Sequence, residues 1–195
     1  ASSTEFVSIN SFIQSVKDSI ESLCQLQTNE TMLFRNGSGT GTNFSTLREL
    51  AAPLSNGGSS SGPVSFVKGF DTWAGITKSA GKTRRAAKMV ILNVDHPDIE
   101  DFIKSKVTVE KMARDLIKMG WPADYNSETY SFLPYQNANH SVRVTDDFMR
   151  AVEQDKNFDL INFKKIKVKE LSAKNLFRTI AEAAHLCADP GIQFD

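Results

Sequence analysis

Apolar and polar positions change period several times along the chain, and each change marks an element. Residues 5–16 bring Phe6, Val7, Ile9, Phe12 and Ile13 close together, which predicts an extended segment holding Asn10 and Ser11 at or near the core. From Asp18 onward Ile20, Leu23, Cys24 and Gln27 fall at i, i+3, i+4 and i+7, a helix whose first three apolar members form a buried stripe. Asp18 reads there as a cap, and Cys24 as a core residue rather than a nucleophile. A second helix over 63–76 opens on Pro63 and aligns Val67, Phe70, Ala74 and Thr77. Residues 89–94, Met-Val-Ile-Leu-Asn-Val, run almost continuously apolar, as a strand covered on both faces of a parallel sheet does.

His96, beside Pro97, then caps a helix through Ile99, Phe102 and Ile103. Val109, Met112, Leu116 and Met119 align on a further helix that Gly120 closes, and residues 121–131 read as loop. The extended stretch 132–144 has a polar centre, Gln136-Asn137-Ala138-Asn139-His140. It is either a hydrogen-bonded network or the wall of a site, since polar groups in a strand cost stability unless they are satisfied or used. Thr145 caps a helix facing Phe148, Met149 and Val152 inward, and Lys164, Lys165, Lys167 and Lys169 alternate as an exposed edge or connector. Ser172 caps the last helix, with Leu176, Ile180, Ala184 and Cys187 inward, and residues 191–195 begin a strand after Asp189-Pro190. Helices alternating with short buried strands predict an α/β fold, layered or barrel, as one unit over residues 1–195.

Three connecting stretches stand apart. Gly37, Gly39 and Gly41 alternate with small hydroxyl residues up to Asn43, a glycine-rich loop that lets backbone approach backbone or ligand. Thr46 to Leu50 starts a short helix that Pro53 ends, and residues 56–62 are loop or linker by composition. The third stretch, residues 77–88, carries Lys78, Lys82, Arg84, Arg85 and Lys88, with no acidic residue between Asp71 and Asp95. It can surround a polyanion such as a nucleotide phosphate, or stand as a solvated turn. It is not a P-loop. Gly81-Lys82-Thr83 lacks the glycine five positions earlier, where Ile76 stands, and the order is helix, loop, strand instead of strand, loop, helix.

Composition sharpens this picture only in places. A content of 40% hydrophobic residues in 195 supports a sizeable core, and 23 basic against 23 acidic residues leave no global field for nucleic acid or a membrane surface. Any anion site must be local. Cys24 and Cys187 have neither CxxC nor Cys/His spacing, which argues against zinc and for a reducing cytoplasm. No signal peptide or membrane-length run is present, so the four Asn-x-Ser/Thr sequons are read as coincidental. The absence of an initial Met and the stop inside a beginning strand suggest a fragment.

Taken in series, the motifs resemble the catalytic barrel of ribonucleotide reductase, most closely its adenosylcobalamin-dependent branch. The matching pieces are Ser11-Phe12-Ile13-Gln14-Ser15-Val16 with Asp18-Ser19-Ile20, Gly37 to Asn43, Ser61-Gly62-Pro63-Val64-Ser65-Phe66 and Lys82-Thr83-Arg84-Arg85-Ala86-Ala87-Lys88 running into Asp95-His96-Pro97-Asp98. Gln136 to Val144 and Ala188-Asp189-Pro190-Gly191-Ile192-Gln193-Phe194 complete them. The resemblance implies the first half of a ten-stranded α/β barrel. It places a specificity effector, a deoxynucleoside triphosphate, on loops matching 47–62 and 78–87 at a homodimer interface, and nucleotide substrate near Asn10 and Ser11. By position Asp18 would hold the effector ribose, Arg48 its phosphates, and Lys82, Arg84 and Arg85 the loop that relays effector identity to the substrate.

The resemblance also implies a limit on catalysis. The family has a reducing cysteine where this chain has Ser11, and serine forms no disulfide. The segment bearing the radical cysteine would lie beyond Asp195, so this chain alone is expected to be inactive and not to hold adenosylcobalamin by itself. The alternatives are a non-catalytic nucleotide-binding module and a half-barrel that serves assembly.

Overall fold

A computed structural model describes residues 11–77, 87–124 and 126–195. Five parallel strands form one sheet in the order β1 (Ser11–Ser15), β2 (Gly39–Asn43), β3 (Lys88–Asn93), β4 (Ala138–Val144) and β7 (Gly191–Phe194). Helices α1 (Ile20–Arg35), α2 (Gly62–Ile76), α3 (Ile99–Lys118) and α6 (Ala173–Cys187) return the chain between neighbouring strands. Short helices α4 (Glu128–Ser131) and α5 (Asp146–Glu153) precede and follow β4, and β5 (Asn157–Ile161) pairs antiparallel with β6 (Lys167–Ser172) as a separate hairpin. Five parallel strands in sequence order are the number that half of a ten-stranded barrel needs, and the α/β expectation holds.

Register sorts the side chains into two faces. Thr40, Lys88 and Ala138 align across the sheet, as do Thr42, Val90 and His140. These positions are buried against the helices, with Leu92, Val94, Val142 and Val144 following on the same face. Core residues Leu26, Phe70, Phe102, Ile103 and Ile180 close this layer from the helix side. The other face carries Ser11, Gly39, Gly41, Asn43, Met89, Ile91 and Asn139, because a strand alternates its side chains. That face mixes polar and apolar side chains, and Asn43 Nδ2 donates along it to Asn93 Oδ1 at 2.8 Å.

Several expectations are corrected by this arrangement. Residues 11–15 form an edge strand, with Phe12 43% and Ile13 93% exposed, so Ser11 sits at an open rim instead of in the core. On α1 the buried stripe is Leu23, Leu26, Glu30 and Phe34, while Ile20 and Cys24 face solvent. The 3.6-residue period holds, but the buried face is turned toward Glu30, which reaches Thr40 and Lys88, and the helix runs on to Arg35. Ser19, not Asp18, caps α1, accepting from Ser22 N. The two helices expected over 99–119 are one, whose buried face is Ile99, Phe102, Ile103, Val109 and Ala113, leaving Met112 and Met119 exposed. No helix forms at Thr46. Residues 47–61 are turns closed by Ala51 N to Ser60 O (2.9 Å) and Ser60 N to Ala52 O (2.8 Å).

The glycine-rich loop is in fact strand β2, and its three glycines do different things. Gly37 has φ +81 and turns the chain out of α1. Gly39 lies so near the neighbouring strands that a Cβ would stand 3.1 Å from both Ala87 O and Ser11 Oγ. Gly41 faces open space. Among the described residues no helix is long and apolar enough to cross a membrane.

Candidate functional site

Parallel neighbours end side by side, so the turns leaving β1 and β2 meet at the C-terminal edge of the sheet. Arg48 Nε donates to Asp18 Oδ2 at 2.6 Å, and the Arg48 backbone N–H reaches Asp18 Oδ1 at 3.3 Å. Arg48 Nη1 also donates to Pro53 O at 3.4 Å. The side chains are 24% and 26% exposed. A guanidinium has five N–H donors and a carboxylate about four lone-pair sites, so this pair is joined without being saturated. It can still give hydrogen bonds to phosphate oxygens and take one from a hydroxyl.

The segment bearing Arg48 is held from both sides. His96 is buried, with Nδ1 accepting from Asp98 N at 3.1 Å and Nε2 3.0 Å from Leu47 O. Those partners, an N–H and a carbonyl, require a neutral ring with its proton on Nε2. Asp98 Oδ2 accepts from Leu50 N at 2.8 Å, and a Cβ on Gly62, whose φ is +70, would lie 2.8 Å from the same oxygen. Burial therefore raises the Asp98 carboxyl above the usual carboxylate range, with the Leu50 N–H opposing. His96 and Asp98, read from sequence only as a helix start, are the clamp that fixes residues 47–50. From a third side Phe163, in the turn of the β5–β6 hairpin, places its ring 5.2 Å from the Arg48 guanidinium carbon.

A second, buried ion pair lies at the other edge. Lys88 Nζ bonds Glu30 with side chains 0% and 1% exposed. Thr40 and Thr42 donate to the same Glu30 oxygen at 3.1 and 3.2 Å. The ammonium also lies over the rings of Phe70 (5.0 Å) and Phe44 (5.8 Å). Burial pulls the Lys88 amine below its ordinary range and Glu30 pushes it back. Asp71, on the buried face of α2, accepts from Asn137 N and Ala138 N, both at 2.8 Å. The polar stretch 136–140 is thus satisfied structurally at Asn137, while His140 stacks on Phe102 at 4.7 Å and approaches Ser105 Oγ at 3.3 Å. Burial, with Lys106 nearby, lowers His140 to about 3.

These positions separate what the sequence placed together. Asp18 and Arg48 are in contact. Ser11 stands at the start of β1, four residues from its end, or about 13 Å at 3.3–3.4 Å per strand residue. Asn10, Lys82, Arg84 and Arg85 lie outside the described residues. Gly39 and Gly41 lie on the open face, Gly39 beside Ser11, and Asn43 ends β2 with its bond to Asn93. A cleft of about 270 Å³ between α3, the 130–139 segment and the end of α6 is lined by Lys106, Glu110, Tyr135, Asn139 and Cys187. Its charges are already committed, Lys106 to Asp189 and Glu110 to Arg114. Among the described residues no three His, Cys, Asp or Glu side chains gather to hold a metal.

The comparisons follow the same outline. A family model described as "Ribonucleotide reductase, barrel domain" matches residues 9–195. The chain is 52% identical over 185 residues to the vitamin B12-dependent ribonucleotide reductase of Streptomyces avermitilis, covering 94% of this chain and 19% of that protein. It is 48% identical over 187 residues to the protein of the same name from Rhodopirellula baltica, covering 94% and 18%. With the vitamin B12-dependent ribonucleoside-diphosphate reductase of Thermoplasma acidophilum it shares 37% over 185 residues, covering 94% and 21%. The chain thus spans about a fifth of the length of these relatives.

Proposed function

Since the chain belongs to the ribonucleotide reductase family, we propose that it is the part of a B12-dependent ribonucleotide reductase barrel that binds the deoxynucleoside triphosphate effector, at Asp18 and Arg48. The observation that carries this reading is the partly exposed, unsaturated Asp18–Arg48 pair on a clamped turn. Arg48 suits phosphate through its planar donors, and Asp18 can accept a sugar hydroxyl. The whole protein would reduce ribonucleotides to deoxyribonucleotides in the cytoplasm by thiyl-radical chemistry, as a homodimer.

Adenosylcobalamin would supply the radical in the whole protein, and the cleft found among the described residues does not fit it. The cleft of about 270 Å³ is lined by committed polar groups and is too small for a corrinoid. No catalytic step is therefore assigned here. Ser11, exposed at the rim of β1, occupies the reducing-cysteine position of the resemblance, and that supports a second reading: a nucleotide-binding module without reduction.

Calorimetric titration with dATP, dGTP, dCTP and dTTP tests the effector site. Saturable binding that falls at least about tenfold in Arg48→Ala, in keeping with a lost charge-assisted contact, is expected. A folded chain that binds none of the four, or binds them equally well without Arg48, would sink the assignment.

A further inference from the structure

The β5–β6 hairpin belongs to none of the roles above, yet its turn reaches the Arg48 edge. Ile161 N donates to Asp95 O at 2.8 Å, which docks the hairpin on the turn after β3. Lys169 bonds Glu100 on α3 and holds the second strand there. Asn162 then shapes the turn: its Oδ1 accepts from Lys164 N and Ile166 N, each at 3.0 Å. Phe163 is thereby set with Arg48 at 5.2 Å and Lys164 Nζ at 5.6 Å from its ring centroid. Two cations share one aromatic ring. Arg48 has a carboxylate partner, whereas Lys164 has none among the described residues.

We propose that the hairpin turn is the outer wall of the triphosphate site: Phe163 is a positioning residue for Arg48, and Lys164 is a second phosphate-binding cation. Like charges gathered around one ring repel each other unless an anion joins them, and the ring quadrupole offsets only part of that repulsion. A nucleoside triphosphate carries several charges along its chain and can meet both groups at once. The stacked ring also limits the orientations of Arg48 beyond the point that Asp18 fixes, so less freedom is lost when phosphate binds. This inference rests on the effector-site reading above and adds two residues to it.

The experiment titrates the full chain with dATP and dTTP, and with inorganic tripolyphosphate, in the parent and five variants. Phe163→Leu and Lys164→Gln are each expected to weaken binding of all three ligands about threefold. Phe163→Tyr restores affinity because it restores the ring, which a merely structural role for residue 163 at a hairpin turn would not require. Lys164→Gln lowers the dependence of affinity on salt, and Lys174→Gln, on α6 and paired with Asp155, leaves affinity unchanged. Thermal unfolding of each variant separates folding defects from binding. If Arg48→Ala weakens binding while Phe163→Leu and Lys164→Gln do not, the hairpin wall is wrong and the effector site stands. If Arg48→Ala has no effect, or no ligand binds the folded chain, both fall together.

Discussion

Two ion pairs at opposite edges of one sheet use the same chemistry and have opposite characters. Glu30–Lys88 is wholly buried, with two threonine hydroxyls on the carboxylate and two aromatic rings beneath the ammonium. Asp18–Arg48 keeps a quarter of its surface and much of its hydrogen-bonding capacity. The first is complete. Removing charges from water costs several kcal/mol per ion, and only a fully satisfied geometry offsets that cost. The second is open, and an incomplete pair on a rigid turn is what a charged ligand can finish. Saturation, more than the presence of charge, distinguishes structure from site.

The largest expected effect would break the buried pair. Lys88→Met alone leaves Glu30 charged and uncompensated, and should destabilise the chain by about 3–5 kcal/mol in urea unfolding. The double variant Glu30→Leu, Lys88→Met removes both charges and should recover most of that loss, a strongly non-additive cycle. Additive losses would mean that the two side chains act independently and that the contrast with Asp18–Arg48 is misdrawn.

The next effect extends the buried layer to His140, whose folded-state value of about 3 lies far below the 6.5 of a free imidazole. Between those values the unfolded chain takes up a proton that the folded chain refuses. The unfolded state binds more protons there, so stability rises with pH and is lost as the pH falls below 6.5, by up to about 1.4 kcal/mol per pH unit. Urea unfolding at pH 6.5 and 5 should show this fall in the parent. His140→Phe, which keeps a ring against Phe102, should show a smaller fall. An unchanged slope would assign the pH dependence to other groups.

Smaller again is the stability effect at the open pair. Arg48→Ala should cost no more than about 1 kcal/mol, since a pair this exposed is screened by water, although its effect on nucleotide affinity is the large one. A loss as great as that of Lys88→Met would mark Arg48 as structural and remove the contrast.

How far sequence could have anticipated this differs by element. The α/β alternation, the caps Thr145 and Ser172, and the strand after Asp189-Pro190 were legible because periodicity and turn chemistry are local. The phase of α1 was not, because its buried face is set by Glu30 reaching Thr40 and Lys88 on two strands. A signal existed there: Glu30 stands four residues after Leu26 and four before Phe34, a charge on an otherwise apolar stripe. Asp18 and Arg48 were singled out through resemblance, and nothing in their spacing of 30 residues predicts contact. Phe163 gave no signal at all. A lone aromatic among lysines at a turn looks like surface until the hairpin is folded onto Arg48.

The finest test separates the two members of the open pair. Asp18→Asn removes the charge that occupies Arg48 Nε and keeps an oxygen that can still accept, so its effect on stability should stay below about 1 kcal/mol. Its effects on ligands should diverge. Inorganic tripolyphosphate lacks a sugar and sees only a site made more positive and an Arg48 freed of its partner, so its affinity should rise. A deoxynucleoside triphosphate gains the same charge term and loses a carboxylate acceptor for its hydroxyl, and a hydrogen bond to a charged group is the stronger kind. Its affinity relative to tripolyphosphate should therefore fall by about three- to tenfold. Parallel changes in the two ligands would show that Asp18 acts only through Arg48 and that the sugar is held elsewhere. Divergent changes would show that each half of an unsaturated ion pair can recognise its own part of one ligand, which the saturated pair at the other edge of the sheet cannot do.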